Sequence, residues 1–485
     1  MTQFSALQPQ PLWNFFHSIL AIPRPSDQEE LIRNYLVDFA VERNLGYELD
    51  QAGNLMIRKA ATPGMEGRQS VCLQSHLDMV CEKNSNIDFD FLQDPIPAYV
   101  DQGWVKSRGT TLGADDGIGI ATQMAILDST EVAHGPLECL FTVAEETGLT
   151  GAFGLGEGFI HSKILLNLDS EDEGEIFIGC AGGIDMTAWL GFEKQKVPPG
   201  STGFELTVAG LRGGHSGDDI HKGYGNANKI INRFLRAARD HFGIRLHHLE
   251  GGNLRNAIAR EARAIFTIAS GKEEALHHLF IKFSKGLEKE FPVTEPEMAL
   301  RLNEHPLPDW VIDQAALYRL IHSVYACPHG VYAWSQAMPG LVETSSNLAA
   351  IRFQDNEIKI TTSQRSSLES AKEDMINTVE SVFLLAGARC KRSTGYPGWN
   401  PNPASPILEI SVDAYRTLFG IEPHVKAIHA GLECGLFLEK YPDLDMISFG
   451  PTIKGAHSPD ERLEISTVKK FWDLLTEILK RIPNA

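Results

Sequence analysis

The sequence has 485 residues, which is too long for one ordinary hydrophobic core and predicts two or more domains. Hydrophobic residues make up 43% and charged residues 22%, as in a soluble globular protein, and the formal charge of −19 argues against nucleic acid or an anionic membrane as partner. No apolar run reaches the roughly 18 to 20 residues of a membrane helix. Residues 1–20 lack the features of a signal peptide, and the seven cysteines contain no CxxC pair. We therefore expect a cytoplasmic protein.

The first 187 residues alternate between helical and strand patterns. The spacing of apolar residues predicts helices over 11–22, 27–44 and 116–130. Short apolar runs bounded by turn residues predict strands over 54–59, 70–76, 137–146 and 163–169. This alternation is typical of an α/β domain with a largely parallel central sheet flanked by helices.

From about residue 188 the pattern changes. Apolar and polar residues alternate over 201–217, 261–270 and 356–367, as in antiparallel strands with one solvated face, and helical patterns lie between them over 225–242 and 273–291. After a proline-rich segment at 396–406, a helix over 406–420, a strand over 445–452 and a helix from about residue 466 restore the α/β pattern. We therefore predict a catalytic α/β domain, formed by 1–187 and 398–485, that is interrupted by an α+β domain over 188–397.

Ionisable side chains follow several of the predicted apolar strands. Isolated ionisable groups in apolar surroundings are costly to bury unless a partner or a ligand compensates them. One of these residues, His457, lies in the short loop after the strand over 445–452. The residues concerned are His76, Asp78, Glu145, Glu146, Asp169 and His457.

A parallel sheet brings such residues together, because open α/β sheets bind ligands beyond the carboxyl ends of their strands. A turn flanked by glycines, "TLGADDGIG", adds Asp115 and Asp116 between the first two of these strands. So many carboxylates in one cleft repel one another unless a cation lies between them. Histidine and carboxylate ligands without cysteine are typical of zinc, cobalt or manganese. The sequence therefore predicts a site for one or two divalent cations.

Other interpretations of these segments explain fewer of them. A single histidine or aspartate at a strand end is most often a capped or solvated loop residue. The acidic segment "DSEDEGE" at 169–175 fails the spacing of an EF-hand calcium loop. The turn "GADDGIG" matches neither glycine-rich phosphate-binding motif, which disfavours a nucleotide-dependent enzyme.

Five segments resemble the signature segments of the aminoacyl-histidine dipeptidases, also called Xaa-His dipeptidases: "SHLDMV", "TLGADDGIG", "AEETGLTGA", "NLDSEDEGE" and "GPTIKGAHSPDE". These enzymes belong to a larger group of two-metal peptidases and amidohydrolases that includes carboxypeptidase G, aminoacylase and carnosinase. The resemblance extends over nearly the whole chain, from "AIPRPS" at 21–26 to "AIHAGLECG" at 427–435.

The resemblance implies roles for the acidic and histidine residues. Asp115 is expected to bridge two divalent metal ions, and the peptide bond between Asp115 and Asp116 is often cis in this group. Asp78 is expected to orient His76, and Glu145 to act as the general base that takes a proton from water and passes it to the leaving amine. The expected ligands are His76, Asp115 and Asp169 for one metal and Asp115, Glu146 and His457 for the other. We expect both metals to be zinc, with cobalt or manganese as alternatives.

The resemblance also implies substrate-binding residues in the inserted domain. His215 in "GLRGGHSGDD" is expected to donate to the scissile carbonyl oxygen, while Asn256 and Arg365 are expected to bind the backbone and the C-terminal carboxylate of the substrate. Residues 429–435 are expected to line the substrate pocket from the catalytic domain. The insert would serve as a lid and, in a homodimer, as the dimerisation domain, although at about 210 residues it is large enough to hold an internal duplication that imitates a partner.

The function that these residues imply is hydrolysis of dipeptides, Xaa-His and related ones, by a cytoplasmic two-metal peptidase. An aminoacylase or a carboxypeptidase acting on another small amide is the alternative, because the metal ligands alone do not distinguish amide substrates. A non-catalytic binding or scaffold protein is disfavoured, since the base Glu145 and all five candidate ligands are present.

Overall fold

The computed structural model describes residues 3–485, which form two compact units. The helices are α1 (Gln10–Ile19), α2 (Glu30–Glu42), α3 (Ala114–Asp128), α4 (Thr150–Gly154), α5 (Ala227–Phe242), α6 (Glu273–Glu290), α7 (Gln314–Ala326), α8 (Glu369–Leu385), α9 (Pro406–Phe419), α10 (Cys434–Lys440) and α11 (Ile465–Arg481), with 3₁₀ turns at Gln3–Ala6 and Ile220–Lys222. The strands are β1 (Gly46–Leu49), β2 (Leu55–Lys59), β3 (Val71–His76), β4 (Ala98–Asp101), β5 (Trp104–Ser107), β6 (Leu137–Thr142), β7 (Ile164–Asn167), β8 (Glu175–Cys180), β9 (Gly182–Gly191), β10 (Lys194–Gln195), β11 (Ser201–Ala209), β12 (Arg245–Gly251), β13 (Ala262–Ala269), β14 (Ala299–His305), β15 (Val311–Ile312), β16 (Gly330–Trp334), β17 (Val342–Gln354), β18 (Glu357–Ser366), β19 (Arg389–Arg392), β20 (His424–Ile428), β21 (Asp445–Ser448), β22 (Ile453–Lys454) and β23 (Arg462–Glu464).

The first unit comprises residues 1–179, 401–427 and 432–485, of which the structure describes those from residue 3. Its main sheet has the strand order β1-β2-β6-β3-β7-β21-β8-β20. The four central strands β6, β3, β7 and β21 are parallel, whereas β1, β2 and β8 pair antiparallel at the two sides. The predicted α/β fold with a parallel central sheet is therefore confirmed, with antiparallel strands added at its margins.

The parallel core brings the carboxyl ends of β3, β6 and β7 to one edge of the sheet. All residues of these strands are buried, which agrees with their apolar sequences. The predicted strand over 137–146 ends early, at Thr142, because Ala144 turns the chain at a φ of 48°. Glu145 and Glu146 therefore lie on a turn after β6 rather than on the strand.

A small second sheet in the first unit holds the loop that carries His457. Its strand order is β22-β23-β5-β4, and β22 and β23 pair antiparallel on the two sides of residues 455–461. Strand β23 also pairs with β5, so that this loop has a fixed base.

The second unit comprises residues 180–400 and 428–431. The predicted boundary at 187/188 cuts β9, which pairs with β18 along its whole length from Gly182 to Gly191. Residues 428–431 join this unit because the Ala181 N–H donates to the carbonyl oxygens of Ile428 and Ala430. The expectation that all of 429–435 belongs to the catalytic domain is therefore wrong for its first three residues.

The second unit contains two halves with the same topology. Strands β11, β12, β13 and β14, with α5 and α6, form a βαββαβ arrangement in the order β14-β11-β13-β12. Strands β9, β17, β18 and β19, with α7 and α8, repeat it in the order β17-β18-β9-β19, and β16 adds to β17. The halves join through the second strand of each, where Gly251 of β12 pairs with Ile351 of β17. This topology is that of an internal duplication.

Local signals explain why the helices of the second unit begin and end where they do. The Asn226 side chain accepts a hydrogen bond from the Lys229 N–H at the start of α5, and Gly243 ends this helix at a φ of 61°. Ile230, Phe234 and the other buried apolar residues of α5 pack into a core shared with both halves of the sheet. In the described part of the chain, none of the helices is both long and apolar enough to cross a membrane.

Candidate functional site

Three of the predicted metal ligands meet at the carboxyl edge of the main sheet. His76 ends β3, Asp169 follows β7, and Asp115 lies just before the regular part of α3. The Nε2 atom of His76 is 3.0 Å from Oδ1 of Asp115 and 3.4 Å from Oδ1 of Asp169.

The other two predicted ligands approach the second oxygen of the same aspartate. Nε2 of His457 is 3.2 Å from Oδ2 of Asp115 and 3.0 Å from Oε2 of Glu146. Asp115 therefore presents one carboxylate oxygen to each histidine, which is the arrangement that a bridging ligand requires. His457 has a φ of 63° in the left-handed region, a conformation that costs a non-glycine residue about 1–2 kcal/mol and is typical of functional positions.

These residues fit a pair of divalent cations. Ligand atoms bound to one tetrahedral zinc at about 2.0–2.1 Å are roughly 3.3 Å apart, and the contacts above span 3.0–3.4 Å. Ligand atoms of His76, Asp115 and Glu146 all lie within 4.8 Å of one another. Oε1 of Glu146 is buried without a hydrogen-bond partner, as a free ligand atom would be.

Asp78 supports this cluster in more ways than the sequence predicts. Its carboxylate accepts hydrogen bonds from the N–H groups of Glu145 (3.0 Å) and Glu146 (3.2 Å) and from the Ser26 hydroxyl (2.7 Å). Its Oδ1 is 3.4 Å from Nδ1 of His76, but Nδ1 makes its shorter contact, 3.1 Å, with the backbone oxygen of Asp78. A carbonyl oxygen only accepts, so Nδ1 carries the proton and Nε2 keeps its lone pair for a cation.

The Asp115–Asp116 peptide is cis, as the resemblance implies. Both residues have non-helical backbone angles, and Oδ1 of Asp116 caps the regular part of α3 by accepting from the Gly119 N–H at 3.0 Å. A Cβ atom on Gly119 would lie 2.4 Å from this oxygen, which explains why the position is glycine. Gly119 therefore serves close packing against Asp116.

The charges of the cluster shift the pKa values of its members. Burial raises the pKa of Glu145 well above its ordinary range, and the negative charges of Asp169 and Glu146 add to this effect. Burial also raises the pKa of Asp169 to about 7. Hydrogen bonds with Asp115 and Glu146 raise the pKa of His457 to about 11.

Two carboxyl groups near the cluster were missed by the sequence analysis. Glu433 is 1% exposed and its Oε2 accepts from Nε2 of Gln74 (2.6 Å) and from the Thr142 hydroxyl (2.8 Å), while burial raises its pKa to about 8. Burial likewise raises the pKa of Glu171 to about 8. The position of Glu433 in "HAGLECG" was the available signal, but a lone glutamate gives no indication of burial.

The second unit brings together two of the three predicted substrate-binding residues. Nε2 of His215 is 3.5 Å from Nη2 of Arg365, and Nδ1 of His215 is 3.2 Å from Oδ2 of Asp218. Nη1 of Arg365 donates to the Tyr396 hydroxyl at 2.9 Å. The Asn256 side chain is exposed, and its backbone oxygen accepts from the N–H of the residue after His215 at 2.8 Å.

Near this cluster lies a buried histidine to which the sequence analysis gave no role of its own. His429 is 6% exposed, and its Nε2 is 2.8 Å from the Ser345 hydroxyl. Burial lowers the pKa of His429 to about 3, with a further contribution from the charge of Arg365. A neutral imidazole beside a guanidinium can bind an anionic group by hydrogen bonding without adding charge of its own.

Comparison with known proteins gives consistent matches over the whole chain. The family model for peptidase family M20/M25/M40 matches residues 72–481. The cytosol non-specific dipeptidase of Escherichia coli (strain K12) is 46% identical over 488 aligned residues, with 100% of both chains covered. The crystal structure of the aminoacylhistidine dipeptidase from Vibrio alginolyticus has a TM-score of 0.92 and 45% identity, covering 100% of this chain and 99% of that one. Human carnosine dipeptidase 1 shares the fold, with a TM-score of 0.51 and 13% identity over 97% of this chain and 95% of that one.

Proposed function

This chain belongs to peptidase family M20/M25/M40, and from that premise we propose that it is a metal-dependent dipeptidase that uses two divalent cations and accepts Xaa-His dipeptides. The observation that carries the proposal is the position of the Asp115 carboxylate. Its Oδ1 atom faces His76, which also contacts Asp169, and its Oδ2 atom faces His457, which also contacts Glu146. The names and the full-length similarity of the two dipeptidases above support the substrate class.

The cations would be held by His76, Asp115 and Asp169 on one side and by Asp115, Glu146 and His457 on the other. When bound, they supply the positive charge that acidifies a water molecule and polarises the peptide carbonyl. Zinc is our proposal for the native metal, because histidine and carboxylate ligands without cysteine suit catalytic zinc.

Glu145 would carry the proton. As the family resemblance implies, we propose that its carboxylate takes the proton from the attacking water and then gives it to the leaving amine. Such a group typically contributes 10²- to 10⁴-fold in rate. Asp78 fixes the backbone of Glu145 through the 3.0 Å hydrogen bond, so that the base and the ligand Glu146 are held by the same carboxylate.

The second unit would bind the rest of the substrate. The Arg365 guanidinium suits the C-terminal carboxylate, because it can donate two parallel hydrogen bonds. We propose His215 as the donor to the scissile carbonyl oxygen and Asn256 as a backbone contact, as the family resemblance implies. The pairing of Arg365 with Tyr396 supports a fixed orientation of the guanidinium.

We also propose a cytosolic location, by analogy with the relative that is named for the cytosol. Association into a homodimer through the second unit stays a prediction, and size-exclusion chromatography with light scattering tests it. A monomer would agree with the duplicated topology, in which β12 and β17 already pair within one chain.

The test of the proposed function is hydrolysis of a panel of substrates by metal-stripped protein and by the same protein with zinc, cobalt or manganese added back. The panel contains β-Ala-His, Gly-His, Leu-Gly and an N-acetyl amino acid. Metal-restored cleavage of the histidine dipeptides supports the proposal. Cleavage confined to the N-acetyl substrate moves the protein to the aminoacylases, and no cleavage at any metal loading contradicts a peptidase function.

A further inference from the structure

The loop that presents Asp115 is held by a buried carboxylate that the sequence analysis did not single out. Glu461 is 3% exposed, and its two oxygens face four consecutive backbone N–H groups. Oε2 accepts from residues 112 and 113 at 2.7 and 2.9 Å, and Oε1 accepts from residues 114 and 115 at 2.7 and 3.4 Å. Successive N–H groups that converge in this way form an anion-binding concavity, here filled by a side chain of the protein itself.

Glu461 belongs to the same loop as His457. It lies four residues after His457, between β22 and β23, and its N–H donates to the Ser458 oxygen at 3.0 Å. The Ser458 hydroxyl closes the loop by donating to the Gly455 oxygen at 2.7 Å. Glu461 therefore connects the two loops whose side chains, Asp115 and His457, approach each other to 3.2 Å.

A buried arginine holds the other side of the Asp115 loop. Arg24 is 2% exposed and donates to the backbone oxygens of Leu77 (2.9 Å), Asp78 (2.6 Å) and Gly113. A Cβ atom on Gly113 would lie 2.7 Å from its Nη2 atom, so the glycine permits this approach. The loop is thus fixed on one side to the segment after β3 and on the other to the His457 loop.

We propose that Glu461 is a positioning residue that keeps Asp115 and His457 in the metal-binding arrangement before a cation arrives, and so sets the affinity for the cation that these two residues share. The inference rests on the proposed function, since it assumes that the cluster binds metal. His76 is the last residue of β3 and Asp169 lies two residues after β7, whereas Asp115 precedes the regular part of α3 and His457 lies on the loop between β22 and β23, so these two need an external support. Because these loops are already ordered in the folded protein, the free-energy cost of ordering them does not weaken cation binding.

The test compares Glu461→Gln with the wild-type chain. Gln is nearly isosteric but replaces one acceptor oxygen by an NH₂ group, which would face two of the four N–H donors. Metal-free full-length proteins are titrated with Zn²⁺ in competition with a chromophoric chelator. We expect one of the two binding steps, that of the cation shared by Asp115 and His457, to lose about 10- to 100-fold in affinity, as is typical when a residue that supports a ligand is changed. The other step changes less, and Glu461→Asp, which keeps both acceptors on a shorter side chain, gives an intermediate loss.

Asp460→Asn is the matched control, because Asp460 is the exposed neighbour of Glu461. It should bind both cations as the wild type does. If Glu461→Gln is folded and also binds both cations with wild-type affinity, the proposal is wrong. If the wild-type chain itself binds no Zn²⁺, the proposed function fails first and the inference fails with it.

A measurement on the unaltered protein covers the case in which Glu461→Gln does not fold. Amide hydrogen exchange is followed for residues 112–115 with and without Zn²⁺. We expect these amides to be protected already without the cation, because Glu461 accepts their hydrogen bonds. Protection that develops only when Zn²⁺ is added would show that the cation orders the loop, and would overturn the proposal.

Discussion

Asp78→Asn isolates the contribution of one hydrogen-bonding carboxylate to the cluster. The amide keeps one oxygen and places a nitrogen at the other position. At Oδ1 that nitrogen would face the Glu145 N–H and Nδ1 of His76. At Oδ2 it would face the Glu146 N–H, while the Ser26 hydroxyl can rotate to accept from it. The second arrangement is less costly, because the Ser26 hydroxyl can accept from the new NH₂ group and only the Glu146 N–H is left without an acceptor.

An unsatisfied buried N–H costs about 1–3 kcal/mol. A free-energy loss of about 1.4 kcal/mol corresponds to a tenfold loss in rate. Because the N–H belongs to a proposed metal ligand, we expect kcat/KM for a dipeptide to fall about 10- to 100-fold in Asp78→Asn. The assay uses zinc-loaded protein whose folding has been checked by thermal melting. The same exchange at the exposed Asp88 is the control and should leave kcat/KM unchanged. Wild-type kcat/KM in folded Asp78→Asn would refute the argument that this carboxylate positions Glu145 and Glu146.

Two further predictions concern stability. Gly119→Ala places a Cβ atom 2.4 Å from the Asp116 carboxylate and should lower the free energy of unfolding by about 1–3 kcal/mol. Gly286→Ala lies in α6 with no atom within 4 Å of the new Cβ and should raise the free energy of unfolding by about 0.5–1 kcal/mol. Equal effects of the two substitutions in urea unfolding would contradict this prediction. Burial opposes ionisation of Glu138, but hydrogen bonds from His161, Ser162 and Arg58 outweigh it and hold its pKa below the ordinary value. The stabilisation is therefore present above the unfolded pKa of about 4.3 and lost as the pH falls through the lower folded value. Glu138→Gln should thus be less stable than the wild type at pH 7, with a smaller difference in acid; a difference that does not change with pH would count against the prediction.

The sequence was sufficient to predict the residues that gather in the first unit, because each of them follows an apolar strand or a glycine-flanked turn. A parallel sheet turns that local pattern into proximity for His76 and Asp169, and the turn before the regular part of α3 adds Asp115. The prediction needed no knowledge of side-chain geometry. Their roles as ligands remain part of the proposal.

What the sequence could not predict depends on long-range contacts. Glu461 sits in "SPDERLE", a segment that is typical of a solvated loop, and its partners lie 346 to 349 residues away. The duplicated topology of the second unit was only one of two alternatives, because the pairing of β9 with β18 joins segments on either side of the whole first half. The sequence also could not predict that His76 Nδ1 lies closer to the backbone oxygen of Asp78 than to its carboxylate. The spacing of the two residues shows that they are close, but it does not show which oxygen accepts the hydrogen bond.

The most direct test of the proposed mechanism is the turnover of Glu145→Gln at full metal loading. The substitution removes the base but keeps the shape of the side chain, and Glu145 is not among the proposed ligands. We expect two Zn²⁺ per chain in both proteins and a kcat for β-Ala-His or Gly-His that falls about 10²- to 10⁴-fold in the variant. A metal-loaded Glu145→Gln protein that hydrolyses these dipeptides at the wild-type rate would contradict the assignment of Glu145 as the general base.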